Sequence, residues 1–169
     1  EFLVENSGNA RLYITAHGIY NAYINGKKAS DFILAPGTSQ YNARLQYQTY
    51  DVSGLLNVGK NEILVTVGDG WWRGDTGYGG VRNSFGIDLA ILCQLEIDRK
   101  TVLISDKSWS ASQEGPLGLN DLMQGECYDA RKENICEWHP VTEKQFGYEN
   151  LVCSNSFDVV EKENYTGKQ

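Results

Sequence analysis

The chain has 169 residues, of which 41% are hydrophobic and 22% charged, and carries a formal net charge of −7. A length of this order fits one domain that buries roughly two-thirds of its unfolded surface, enough for a core without staples. The acidic balance offers no basic stripe to neutralise phosphates, and no run approaches the roughly 20 apolar residues of a spanning helix, so neither nucleic acid nor a membrane is an expected partner.

Taken in chain order, Arg11 to Ala16 alternates polar and apolar residues, and the alternation resumes after Gly18 as Ile19 to Ile24, which predicts two strands. Asn25-Gly26 supplies the two residues that tolerate positive φ in a type I′ turn, so Tyr20 to Ile24 is expected to fold back on the segment starting at Lys27. Arg44 to Tyr50 alternates again, and Asp51 or Ser53 can cap a single helical turn through Leu55-Leu56, closed by Asn57 to Lys60. Further strands are predicted over Asn61 to Val67, over Ile87 to Ile97, and over Thr101 to Ser105 after the polar turn Asp98-Arg99-Lys100. Trp109 to Ser112 reads as a short strand, Gly115 to Gly118 as a break, and Asp121 to Gly125 and Glu126 to Arg131 as the segments that follow. From Lys144 on the periodicity fades.

Many short strands, no sustained helical period and 18 glycines against 3 prolines predict an all-β fold, two packed antiparallel sheets in a jelly-roll or related sandwich. One domain is expected over residues 1–160, with 161–169 as a linker or frayed terminus. Cys93 sits in the apolar run Leu89 to Ile97 and reads as a small core hydrophobe. The separations between Cys93, Cys127, Cys136 and Cys153 match no zinc knuckle.

The run Gly68 to Gly74, GDGWWRG, places two tryptophans, an arginine and an acid where a strand ends. It opens a stretch to Gly86 that is too long for a hairpin turn. Indole faces stack on sugars, and carboxylates and guanidiniums hydrogen-bond hydroxyls, so Asp69, Trp71, Trp72 and Arg73 are candidate ligand-binding residues. On an extended segment Trp71 and Trp72 point to opposite faces, which leaves one ring for the core and one exposed, without saying which. Arg73 and Asp75 also read as a structural salt bridge. Tyr128 and Asp129, in GECYDAR, join the candidate list, with Glu126, Tyr128 and Arg131 on one strand face and Asp129 opposite. A network tying this late strand to the tryptophan loop is expected. Glu126 and Asp129 face opposite ways and cannot flank one glycosidic bond, and His17 and His139 stand beside no nucleophile motif, so no catalytic residue is assigned.

The blocks ARLYITAHGIYNAYINGKKASDFILAPGTSQYNARLQYQTYDVSGLL, VGDGWWRG and GECYDAR, in that order over about Ala10 to Arg131, resemble the N-terminal domain of bacterial α-L-rhamnosidases of glycoside hydrolase family 78. The resemblance implies a galactose-binding-like β-sandwich that precedes an (α/α)₆ barrel, where the carboxylates that hydrolyse terminal α-L-rhamnosyl residues with inversion lie. The fragment itself is then a non-catalytic accessory module, and its expected partners are the barrel and other domains of the same polypeptide. The sequence is also similar to carbohydrate-binding module family 67, which implies L-rhamnose or a rhamnosylated glycan as ligand and calcium as an optional cofactor held in part by an acid at the position of Asp69. Its neighbour Gly70 lacks the side-chain oxygen found there in that family. The alternative is a purely structural interdomain scaffold. With neither a basic start nor an apolar run at Glu1 to Glu5, the expected location is the bacterial cytoplasm rather than the outside of the cell.

Overall fold

The computed structural model describes residues 1–77 and 79–167, so Tyr78 in the tryptophan loop and the last two residues of the expected terminal segment lie outside the described residues. The strands are β1 Phe2–Val4, β2 Ala10–His17, β3 Ile19–Ile24, β4 Lys27–Lys28, β5 Leu45–Asp51, β6 Gly59–Asn61, β7 Ile63–Gly68, β8 Ala90–Ile97, β9 Lys100–Ile104, β10 Ser110–Ala111, β11 Leu117–Asp121, β12 Gly125–Tyr128, β13 His139–Pro140 and β14 Leu151–Cys153. One four-residue helical turn, α1 Gly70–Arg73, follows β7.

A five-stranded sheet runs β14-β5-β2-β8-β9 and a three-stranded sheet runs β4-β3-β7, with two-stranded pairs β1-β6, β10-β13 and β11-β12 beside them. All pairings are antiparallel except β14 with β5. The alternation read from the sequence is the burial pattern. Leu12, Ile14 and Ala16 of β2, Tyr20, Ala22 and Ile24 of β3, and Cys93, Leu95 and Ile97 of β8 all point into one apolar cluster. Side chains from both sheets meet there, which is how a period-2 pattern with one buried face is satisfied. Burial pushes the Cys93 thiol up to about 12, as suits an inert core residue.

The step from the first sheet to the second is made at Gly18, between β2 and β3. Its φ is +133°, and a Cβ there would collide with the Gly68 carbonyl of β7. Asn25 and Gly26 take φ values of 50° and 75° and close the β3-β4 hairpin. Asp98 and Arg99, at 48° and 67°, do the same between β8 and β9. The Asn25 amide reaches the Leu55 carbonyl and Asn61 Oδ1, each at 2.8 Å. Asn61 is itself buried and hydrogen-bonded to the backbone of Asn57 and Gly59.

Several local expectations are corrected. Asn57 to Lys60 does more than close a turn, since β6 begins at Gly59 and pairs with β1. The strand expected from Ile87 starts at Ala90, because Gly86 to Leu89 is occupied in packing the tryptophan loop. Leu117 and Gly118 belong to β11 rather than to a break. The strand expected through Arg131 stops at Tyr128, because Asp129 caps a 3₁₀ turn, Ala130–Lys132, by accepting from the Arg131 N–H. Farther on, β14 adds to β5 in parallel, and the Ile33 N–H donates to the Val159 carbonyl at 2.8 Å, so the chain returns to the body as far as Val160. No helix among the described residues is long and apolar enough to cross a membrane.

Leu12 and Leu95 are direct cross-strand partners at the centre of the core, and neither is exposed. Leu95→Ala is expected to cost about 2–5 kcal/mol of folding stability through lost transfer energy and the cavity left behind, read as a shift of the urea midpoint.

Candidate functional site: the tryptophan loop

The backbone after β7 turns helical at once. Asp69 already has φ −59° and ψ −43°, and the Arg73 and Gly74 N–H groups donate to the carbonyls of Asp69 and Gly70. Trp71 and Trp72 are therefore about 100° apart around a helical turn, not opposed on an extended segment. Gly70 makes this turn possible. Its φ is +52°, and a Cβ would lie 2.6 Å from Ile19 Cγ2 and 2.9 Å from the Ile19 nitrogen. The return leg of the loop hydrogen-bonds to α1, with Asn83 N–H on the Arg73 carbonyl and Phe85 N–H on the Trp72 carbonyl.

Trp72 is the ring that enters the interior. It is 8% exposed and packs with Tyr41 and Leu45, while Trp71, Phe85, Leu89 and Leu151 lie partly buried around this cluster. Its indole Nε1–H donates to the Asp88 carbonyl at 3.0 Å, which satisfies the one polar atom the ring buries. His17, at the end of β2, stacks on it with centroids 3.7 Å apart, and Phe146 meets the imidazole edge-on. His17 Nδ1 is buried without a partner, and burial lowers the His17 pKa below its ordinary value.

The charged residues form a second assembly beside the rings. Asp69 Oδ1 accepts from Arg73 Nε at 2.7 Å, and Asp69 Oδ2 accepts from Arg82 Nη2 at 2.6 Å. The other terminal nitrogen of Arg82 donates to Asp121 Oδ2 at 2.7 Å. The same oxygen accepts the Asp75 N–H at 2.8 Å, and Asp121 Oδ1 accepts the Met123 and Gln124 N–H groups at 2.9 and 3.0 Å. Burial alone would raise the Asp121 carboxyl, but the N–H donors of Asp75, Gln124 and Met123, and then Arg82, outweigh it and hold its pKa below the usual carboxylate value. The Gln124 amide donates to Asp75 Oδ2, while Asp75 Oδ1 is buried with no partner.

The expected link between the loop and a late strand is thus made by Asp121 and Gln124, from β11 and the turn after it, and not by the GECYDAR residues. Asp129 and Arg131 pair with each other at 2.8 Å on the exposed 3₁₀ turn, and the Tyr128 hydroxyl donates to Glu133. Asp69, Trp71, Trp72 and Arg73 are brought together; Tyr128 and Asp129 stand apart from them. Arg82, Asp121, Gln124 and His17 are the participants that sequence reasoning passed over. Arg82 was detectable as the second base among the acids of the Gly68 to Gly86 loop. Asp121, ahead of Leu-Met-Gln-Gly, carries the signature of an acid that caps a turn through the N–H groups two and three residues on.

Asp69 is the acid toward which the resemblance points calcium. Both of its oxygens are held by guanidiniums, Gly70 adds no side-chain oxygen, and calcium asks for 6–8 oxygen ligands. Among the described residues no group of three or more His, Cys, Asp or Glu is arranged to hold a metal ion. The donor set, as folded, does not fit the ion.

Two expectations follow from this geometry. Gly70→Asn, which would supply the missing oxygen, is expected to lower stability by about 2–4 kcal/mol, because the added Cβ meets backbone; the unfolding midpoint reads it. The unfolded His17 imidazole takes up a proton near pH 6.5 while the buried one resists it, so stability is full above about pH 6.5 and falls as pH drops toward the depressed folded value. His17→Phe keeps the stack on Trp72 and should flatten that part of the stability-against-pH curve when the two proteins are compared.

Residues 5–162 match the family described as the α-L-rhamnosidase N-terminal domain. An α-L-rhamnosidase of Formosa agariphila is 40% identical over 164 residues, covering 93% of this chain and 17% of that protein. The crystal structure of native α-L-rhamnosidase from Aspergillus terreus superposes with a TM-score of 0.83 at 41% identity, over 89% of this chain and 19% of that one. That of Streptomyces avermitilis α-L-rhamnosidase complexed with L-rhamnose gives 0.72 at 39% identity, over 79% and 13%. The chain spans less than a fifth of each of these proteins. With the match running over nearly its whole length, the chain belongs to the α-L-rhamnosidase N-terminal domain family.

Proposed function

We propose that this chain is a non-catalytic module of an α-L-rhamnosidase, a jelly-roll sandwich that packs on the catalytic barrel and other domains of the same polypeptide, which hydrolyses terminal α-L-rhamnosyl residues. The observation that carries this reading is the inward use of the tryptophan loop. Trp72 is buried and hydrogen-bonded, and both Asp69 oxygens are spent on arginines, so the groups suited to a sugar are committed to the fold. A docking role also accounts for the rest of the surface. Among the described residues every exposed tryptophan, tyrosine and phenylalanine follows Leu117: Tyr128, Trp138, Phe146, Tyr148, Phe157 and Tyr165. Aromatic side chains concentrated in one part of a chain suit contact with another domain.

A carbohydrate-binding reading is favoured by one observation, the incomplete burial of Trp71 at the rim of the aromatic cluster. The two readings are separated by assaying the purified chain. The scaffold reading predicts no turnover of an aryl α-L-rhamnoside and no heat on titration with L-rhamnose to millimolar concentration. Heat that disappears in Trp71→Ala would replace it with the binding reading, and turnover would overturn both.

A further inference from the structure

The cation-binding chemistry that the resemblance implies and the donor set observed here disagree, and the disagreement is informative. Two carboxylates from distant parts of the chain, Asp69 after β7 and Asp121 at the end of β11, turn their Oδ2 atoms toward one point, and the terminal nitrogens of Arg82 stand there at 2.6 and 2.7 Å. The side chains of Asp69 and Asp121 are 8% and 0% exposed, and carboxylates so enclosed require positive charge close by. Arg82 reaches them from the middle of the loop, with about a third of its own side chain open to solvent. A third acid, Asp75, donates its N–H to the same Asp121 oxygen and keeps one buried carboxylate oxygen without any partner.

We propose that Arg82 is a resident cation: its guanidinium fills the place between Asp69 and Asp121 that a divalent ion would take, and locks the loop to the β11-β12 hairpin without calcium. A planar guanidinium suits the task, since its two terminal nitrogens present parallel donors to separate carboxylates and its charge is permanent. Arg73 on the other Asp69 oxygen completes the exclusion of a metal ion. The arrangement makes the order of the loop independent of calcium supply. It also means that removing Arg82 leaves the Oδ2 atoms of Asp69 and Asp121 without the cation they share, free to take up a cation from solution.

Thermal unfolding of the whole chain tests this, with 5 mM calcium chloride or excess chelator, for the native sequence, Arg82→Ala and Arg82→Gln. The native chain is expected to melt at the same temperature in both buffers. The two variants are expected to melt several degrees lower in chelator and to recover about 2–4 °C in calcium, the rise that a site of millimolar affinity gives in a domain of this size. Arg82→Gln keeps an amide donor and guards against a variant too damaged to fold. A calcium-dependent rise in the native chain overturns the proposal, and so do folded variants that ignore calcium. If neither variant folds, the native chain decides by itself.

Discussion

The contact on which the loop region depends is the bridge from Arg82 to Asp121, the charged centre of a group of hydrogen bonds that joins the loop to the β11-β12 hairpin. The β11-β12 hairpin is largely exposed along both strands, and a lone two-stranded hairpin is marginal in water. It is held at its turn end, where Asp121 meets Arg82 and the Asp75 N–H, and where the Asp69 N–H donates to the Asn120 carbonyl. Asp121 is the enclosed member of the pair while about a third of the Arg82 side chain meets solvent, so the costly change is the one that leaves the buried carboxylate without its cation. The effect of the bridge is positional: with one terminal nitrogen on Asp69 and the other on Asp121, the planar guanidinium favours one mutual placement of loop and hairpin.

The apolar counterpart of that bridge is Trp72, which anchors the loop from beneath. Four glycines allow the approach. Gly18 and Gly68 face each other where the chain passes between sheets, Gly70 sits against Ile19, and Gly86 lies flat on the Trp72 ring, where a Cβ would come within 2.5 Å of Cζ2. With the backbone this close, the indole stacks on His17 and lies near-parallel to Phe85, with centroids 3.7 and 6.3 Å away. Trp72 thereby plugs the end of the sandwich, while Trp71 stays partly buried at the rim.

The main strands were legible because each is long enough to show its period: Leu12, Ile14 and Ala16, or Cys93, Leu95 and Ile97, can be read only as one buried face. The turns were legible where two adjacent residues needed positive φ, as at Asn25-Gly26. What escaped had no local signal. β1 and β6 are three residues each, too short to alternate visibly. α1 is a single turn flanked by glycines, where propensity argues against a helix and tertiary packing of Trp72 decides for it. The Arg82–Asp121 pair spans 39 residues, and no periodicity links an arginine in a glycine-rich loop to an acid in a distant hairpin.

The placement of polarity supports a single account of the module. Asp69 and Asp121, both enclosed, are matched by Arg73 and Arg82, which hold the loop to the hairpin. Among the described residues the exposed aromatic side chains all lie after Leu117, in a segment that includes the hairpin that the Arg82 bridge positions. A bridge that orders an otherwise weakly supported hairpin carries an advantage if that hairpin must present Leu117, Met123 and Tyr128 in a fixed arrangement to something else. Preorganising a contact surface reduces the ordering cost of association. In that light the bridge that ties down the loop also positions one part of the proposed docking face, the hairpin that carries Tyr128.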